Sequence, residues 1–146
     1  MPFHVYSFAD VRTTIYHPSV GRCVLSSSGL GKITVSHAGD QSSHTATADG
    51  YVVINRLRSV NGTVTLEVPI NSTADKFLRR WANYLKNIGD SSRFGKTSIN
   101  IEDRLGGYIH YLDGVTPQRI PDRVYDEQAT SVTWTLLVAS ISSSDA

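Results

Sequence analysis

The chain has 146 residues, 40% of them hydrophobic and 18% charged, with a formal net charge of +1 and one cysteine, Cys23. This excludes an internal disulfide framework, a cysteine-based zinc site and a dedicated nucleic-acid grip, which needs a net basic surface. With no signal-peptide pattern in MPFHVYSFADV and no apolar window near the ~18 residues of a membrane span, the expectation is one soluble domain over residues 1–146, made inside the cell and without membrane binding.

Serine and threonine make up about a fifth of the chain. Threonine and the β-branched residues favour pleated, half-buried surfaces. A hydroxyl-rich β surface of low net charge does little to repel its own copies, so self-association is open to it.

Val11 to Tyr16 reads as a short strand closed by His17-Pro18, and Arg22 to Leu25 as a second, ending at the Ser26-Ser27-Ser28-Gly29 turn. Lys32 to Ser36 is a third, with Ile33 and Val35 on one face. Ser36 to Gly50 then runs without a large apolar residue. A long uncommitted segment in a compact domain is mobile or functional. Thr45 and Thr47 would let its second half extend as an arm once a partner surface is present.

Asn61-Gly62 is the strongest local hairpin cue, because both turn positions tolerate positive φ. With Val60 and Thr63 flanking the turn, Leu57 faces Leu66, Ser59 faces Val64, Asn55 faces Val68 and Val53 faces Ile70. On the other face Arg56 meets Glu67 and Arg58 meets Thr65, so that side is polar and wet.

One helix is predicted over about 72–88. Ser72 caps it, with Asp75 three residues on imitating a capping box. Phe77, Leu78, Trp81, Leu85 and Ile88 form a single apolar stripe at helical spacing, and Gly89 is the stop. Thr97 to Glu102 returns to strand, with Ile99 and Ile101 inward. Tyr108 to Leu112 and Val115 to Arg119 flank Asp113-Gly114, a second predicted hairpin, although Pro117 and Pro121 limit its second arm. Ala129 to Ile141 is a long final strand, with Val132, Trp134, Leu136 and Val138 on one face, and Ser142 to Ala146 is expected to fray.

Catalytic patterns are lacking. Gly95-Lys96-Thr97-Ser98 imitates the end of a phosphate loop, but Asp90 stands where the upstream glycine belongs and the order is helix into strand. His4, His17, His37, His44 and His110 have no paired metal-ligand spacing and are expected at surfaces or turns. Glu102-Asp103 point apart, and Cys23 has no activating neighbour. No catalytic residue, metal or cofactor is assigned, and the chain is expected not to be an enzyme.

The opening VYSFADV, the GLGKITVS strand, the arm before Asp49-Gly50, the NGT word, the helix FLRRWANYLKNI, the GVTPQRIPD segment and the closing SVTWTLLVA together resemble the tail tube proteins of contractile-tailed phages. The likeness covers nearly the whole chain. It implies a mainly β fold, a two-sheet sandwich or barrel with one flanking helix, in a virion tail component assembled in the host cytoplasm. Copies would form hexameric rings whose joined inner sheets line a conduit for DNA ejection, with DNA passing without specific binding. The implied partners are other copies, the tail sheath, the baseplate hub, the tail terminator and a tape measure protein inside the tube.

On that basis Arg56, Arg58, Thr63, Thr65 and Glu67 are expected to face the lumen. Residues 36–50, with His37, Asp40, His44, Thr45, Thr47 and Asp49, are expected to stack one ring on the next. Phe77, Leu78, Trp81, Leu85 and Ile88 form the helix core face. Arginines in the lumen depart from the lining expected of a conduit that must release phosphates. The rivals are the tube subunit of a tailocin or a type VI secretion system, a monomeric β-sandwich module binding sugar or peptide, and a small enzyme. A binding module needs an exposed aromatic platform, and Tyr108 and Tyr111, three apart on a strand, point to opposite faces.

Overall fold

A computed structural model describes residues 10–25, 31–125, 127–128 and 131–145. Its strands are β1 (Val11–His17), β2 (Gly21–Leu25), β3 (Lys32–His37), β4 (Ser42–Ala46), β5 (Val52–Arg56) and β6 (Gly62–Pro69), then, after helix α1 (Thr73–Asn87), β7 (Thr97–Asp103), β8 (Tyr108–Pro117) and β9 (Ser131–Asp145). Seven strands form one antiparallel sheet in the order β2-β1-β7-β8-β9-β6-β3, and β4 and β5 form a small second sheet. The fold is mainly β with one flanking helix.

Period-two alternation decides which face is buried. On β6 Val64, Leu66 and Val68 point inward while Thr63, Thr65 and Glu67 stay half-exposed, and on β9 Val132, Trp134, Leu136 and Val138 point inward. The sheet curls until β3 faces β1 and β7, so that Ile33 and Val35 line one groove with Val11 and Ile101. One layer is then β3, β6 and the first half of β9. The other is β2, β1, β7 and the first half of β8.

Helix α1 closes the curl against β6 and β2. Ser72 caps it by accepting the Asp75 N–H at 3.2 Å. Phe77, Leu78, Trp81 and Leu85 are buried, each side chain contributing roughly 1.5–3 kcal/mol. Trp81 places its indole N–H 2.7 Å from Thr97 Oγ1, so the one polar atom of a fully buried ring is satisfied. Ile88, expected on the same stripe, lies one residue past the helix as its extended C-cap and is half-buried.

Several expectations are corrected. The Asn61-Gly62 hairpin does not form. β5 pairs with β4, and β6 lies between β3 and β9, so Arg56 meets Ser42 and Glu67 meets Lys32. Gly62 is needed for space: a Cβ there would run into Ser36 O and the Ile141 side chain. The Asp113-Gly114 hairpin is likewise absent, because β8 runs straight through it. Gly114, at φ 66°, is an extra residue against β7, where Thr97 pairs with Val115 and Ser98 with Asp113. That bulge bends the strand and lets Leu112 and Val115 both face the core.

The true tight turn is Ala48-Asp49-Gly50, with Gly50 at φ 86° and its N–H bonded to Thr47 O at 3.1 Å. The segment 36–50 is therefore strand and turn. The expected fraying after Ser142 is also overturned, since Ser142 to Asp145 pair with Tyr111 to Tyr108. His17, expected at a surface or turn, ends β1 just before the turn at 18–20 but is buried, with Nε2 2.9 Å from Arg93 O and Nδ1 accepting the Ser19 N–H at 3.0 Å. The Ser26–Gly29 turn, His4 and the start of the last strand at Ala129 lie outside the described residues.

Candidate functional site

The outer face of β3, β6 and β9 presents three rows. Lys32, Thr34 and Ser36 lie beside Glu67, Thr65 and Thr63, which lie beside Thr133, Thr135 and Leu137. Lys32 opposes Glu67, whose carboxylate accepts the Ser131 hydroxyl at 3.0 Å, so the two charges of these rows cancel, and the rest is hydroxyls except for the exposed Leu137 at the arm end. Thr63, Thr65 and Glu67 stand here, while Arg56 and Arg58 do not: the first ends β5 and the second lies in the connection to β6. The five residues assigned to one face divide three and two.

β3 is a sheet edge. The Ala38 N–H bonds Asn61 O at 3.0 Å, which in an antiparallel ladder turns the backbone groups of Lys32, Thr34 and Ser36 toward β6. The backbone groups of Ile33, Val35 and His37 then point off the open edge. β2, in the other layer, is the opposite edge.

The arm leaves the end of this face where His37 pairs with Gly62. The Leu57 N–H to Gln41 O bond, 3.0 Å, continues the β4–β5 ladder toward the body, and between that bond and Ala38–Asn61 the returning chain carries one residue more than the outgoing one. His37 ends β3, Asp40 lies at the bend, His44 and Thr45 are in β4, and Thr47 and Asp49 are in the turn. Every residue of β4 is exposed.

The hairpin has two unlike faces. On one, Asn55 Nδ2 donates to Ser43 Oγ and Thr45 Oγ1, both at 3.2 Å. On the other, Ala46 opposes Val52 and His44 opposes Ile54, which is 71% exposed, while Tyr51, 73% exposed, is bonded to Thr47 and so stands on the Asn55 side with Val53. The apolar residues of β5 thus belong to the arm. The sequence signal for them was Asp49-Gly50 between Thr45 and Val53.

At the opposite end of the face, β8 parts from β9. The last shared bond is Gln118 N–H to Thr135 O at 3.1 Å, after which residues 118–125 cross toward α1 as a strap. Between strap and strand lies a cleft of about 520 Å3, lined by Gln118, Arg119, Pro121 and Asp122 on one side and Ser131, Thr133 and Thr135 on the other.

Asp75 anchors the strap. Its fully buried carboxylate accepts Arg123 Nη1 at 3.1 Å and the Asn71 N–H at 3.0 Å, with Trp134 Nε1 at 3.4 Å and Arg79 Nε at 3.6 Å. Burial works against the Arg123 charge, but its hydrogen bonds and attraction to Asp75 and Tyr125 outweigh this, so its pKa rises. Residue types alone give no sign of this network, because Arg123 is 48 positions from Asp75.

Other candidates resolve into structure. Thr97 and Ser98 of the apparent phosphate loop begin β7. Cys23 is buried, which pushes its thiol pKa up against the smaller pull of Arg80. His110 is held below its ordinary pKa, first by burial and then by the nearby His37. Among the described residues no cluster of histidine, cysteine and carboxylates is arranged to hold a metal ion.

A sequence profile described as bacteriophage PhiTE tail tube protein matches residues 3–144. A comparison with curated proteins finds no match. Among solved structures, the fold is similar to a chain in the sheath–tube complex of the extracellular contractile injection system PVC in its extended state. That likeness has 9% identity and a TM-score of 0.64, covering 98% of this chain and 93% of the other. It is also similar to a chain of the anti-feeding prophage tube-terminating cap (10% identity, TM-score 0.67, 100% and 95% coverage). A chain of the six-fold symmetrised anti-feeding prophage baseplate is similar at 9% identity and TM-score 0.67, with 99% and 98% coverage.

Proposed function

The chain belongs to the bacteriophage PhiTE tail tube protein family, and from that premise we propose that it is a structural tube subunit, not an enzyme, built to complete its sheet with other copies in hexameric rings. The rings stack into the tube of a virion tail assembled in the host cytoplasm, and DNA leaves through the bore. The observation that carries this reading is the open β3 edge bordering a face made mostly of hydroxyls, with one opposed charge pair and Leu137. An unpaired edge is a template for another chain. A face without net positive charge lets phosphates slide past.

On this reading Thr63, Thr65 and Glu67 face the lumen, and Arg56 and Arg58 are withdrawn from it to the arm. The arm, with His37, Asp40, His44, Thr45, Thr47 and Asp49, stacks one ring on the next. Its apolar side supports this, because an isolated two-stranded hairpin is marginal in water and becomes stable when that side is covered. Helix α1, opposite the hydroxyl face, is turned outward to a tail sheath. A baseplate hub, a tail terminator and an internal tape measure protein complete the partners.

The similar folds in injection particles favour a second reading, in which the same tube delivers other cargo. Genes for a capsid or for an effector beside this one would separate the two. The tube reading itself is tested by light scattering across concentration, followed by electron microscopy. Hollow discs and stacks are expected. A stable monomer at millimolar concentration contradicts it.

A further inference from the structure

The edge of β9 beside the strap is open on the same layer as the edge of β3. The Gln118–Thr135 bond turns the backbone groups of Thr135, and with them those of Thr133 and Ser131, away from β6 and toward the strap. Beyond Gln118 the strap diverges, and the groups of Thr133 and Ser131 open into the cleft of about 520 Å3. Two features keep the strap from closing onto β9: Arg123 is tied to buried Asp75, and Pro121 has no N–H to offer.

We propose that this cleft receives β3 of a second copy, so that the neighbour's strand adds to the free edge of β9. The proposal rests on the tube-subunit reading and assigns the edges through which its rings close. Three observations select β3 over β2. First, β3 and β9 are both antiparallel to β6 and so run in the same direction. A rotation about a ring axis therefore lays a neighbour's β3 parallel to β9, and evenly spaced parallel bonds link Ile33 and Val35 to Thr133 and Ser131. Second, this joint stays within one layer, so Thr34 and Ser36 of one copy extend the hydroxyl face of the next. Third, β2 belongs to the other layer, and its outward residues include Arg22, which would add a positive charge to a face whose own charges cancel.

The joint is tested by disulfide trapping on the full chain carrying Cys23→Ala. Thr34→Cys is combined in turn with Ser131→Cys, Thr133→Cys and Thr135→Cys, and separately with Val24→Cys. Under mild oxidation one of the first three pairs is expected to give a ladder of linked species ending in a closed ring, while the Val24 pair and the single cysteines stay monomeric on denaturing gels. A ladder from the Val24 pair alone overturns this joint and leaves the tube reading standing. A parent protein that forms no rings in the microscope overturns both.

Thr133→Pro gives an independent check, since it removes an N–H aimed at the cleft and spares the β6 ladder. It is expected to keep the thermal midpoint of the parent and lose ring formation. Normal rings from this variant contradict the proposal, and if it fails to fold the trapping result decides.

Discussion

The curled body and the arm are made from the same kinds of residue and put them to opposite use. In the body, Val64, Leu66 and Val68 of β6 are fully buried beneath α1 and the facing layer. In the arm, Val52, Val53 and Ile54 stand 57%, 49% and 71% exposed, on a ladder paired only with β4. The body therefore carries the stability of a single copy. The arm adds little until something covers it, and on the proposed reading its apolar residues answer to assembly.

Substitutions that separate the two regions sharpen this contrast. Trp81→Ala is expected to have the largest effect, about 3–5 kcal/mol in urea unfolding, because it opens a cavity and strips Thr97 of its donor. Asp75→Ala should follow at about 3 kcal/mol, since it removes the carboxylate that neutralises Arg123, leaving that side chain its bond to Asn71 Oδ1, and takes the acceptor from the Trp134 N–H. A loss under 1 kcal/mol would mean that the strap is not anchored there.

Gly62→Ala is expected to cost about 1–3 kcal/mol by forcing a methyl group against Ser36 O and Ile141. In the arm, Ile54→Ser should change monomer stability by no more than about 0.5 kcal/mol yet abolish stacking in sedimentation. A stability loss as large as that of Gly62→Ala would show the arm folded back on its own body.

The smallest effect is a pH dependence. His110 is held below its ordinary pKa of 6.5 in the fold, so the unfolded chain takes up a proton more readily. Its contribution is complete above that value and is lost as pH falls toward the folded pKa. The drop in thermal midpoint between about pH 7.5 and about pH 5.5 should shrink in His110→Gln. An unchanged drop would place the titration elsewhere.

How much of this was legible depends on how far each signal reaches. The helix could be read in place, because its stripe and its Ser72 cap lie within one stretch of sequence. The inward face of β9 could be read for the same reason. Glycine dipeptides could not be sorted locally. Asp49-Gly50, Asn61-Gly62 and Asp113-Gly114 look alike, yet the first makes a turn, the second relieves crowding beside β3 and the third makes a bulge. Which is which depends on strands far away in the chain, and choosing Asn61-Gly62 as the turn moved Arg56 and Arg58 onto the wrong ladder. The Asp75–Arg123 anchor and the cleft beside it escaped the sequence altogether, because both arise where the strap leaves β9.

The central claim is that a single copy is unfinished at its sheet edges. A helical reconstruction of the assembled protein at a resolution that shows backbone tests it most directly. The account predicts main-chain bonds from the β3 edge to the adjacent copy, with Thr63, Thr65 and Glu67 facing the bore. Subunits meeting through α1, with the β3 edge left in solvent, would contradict it.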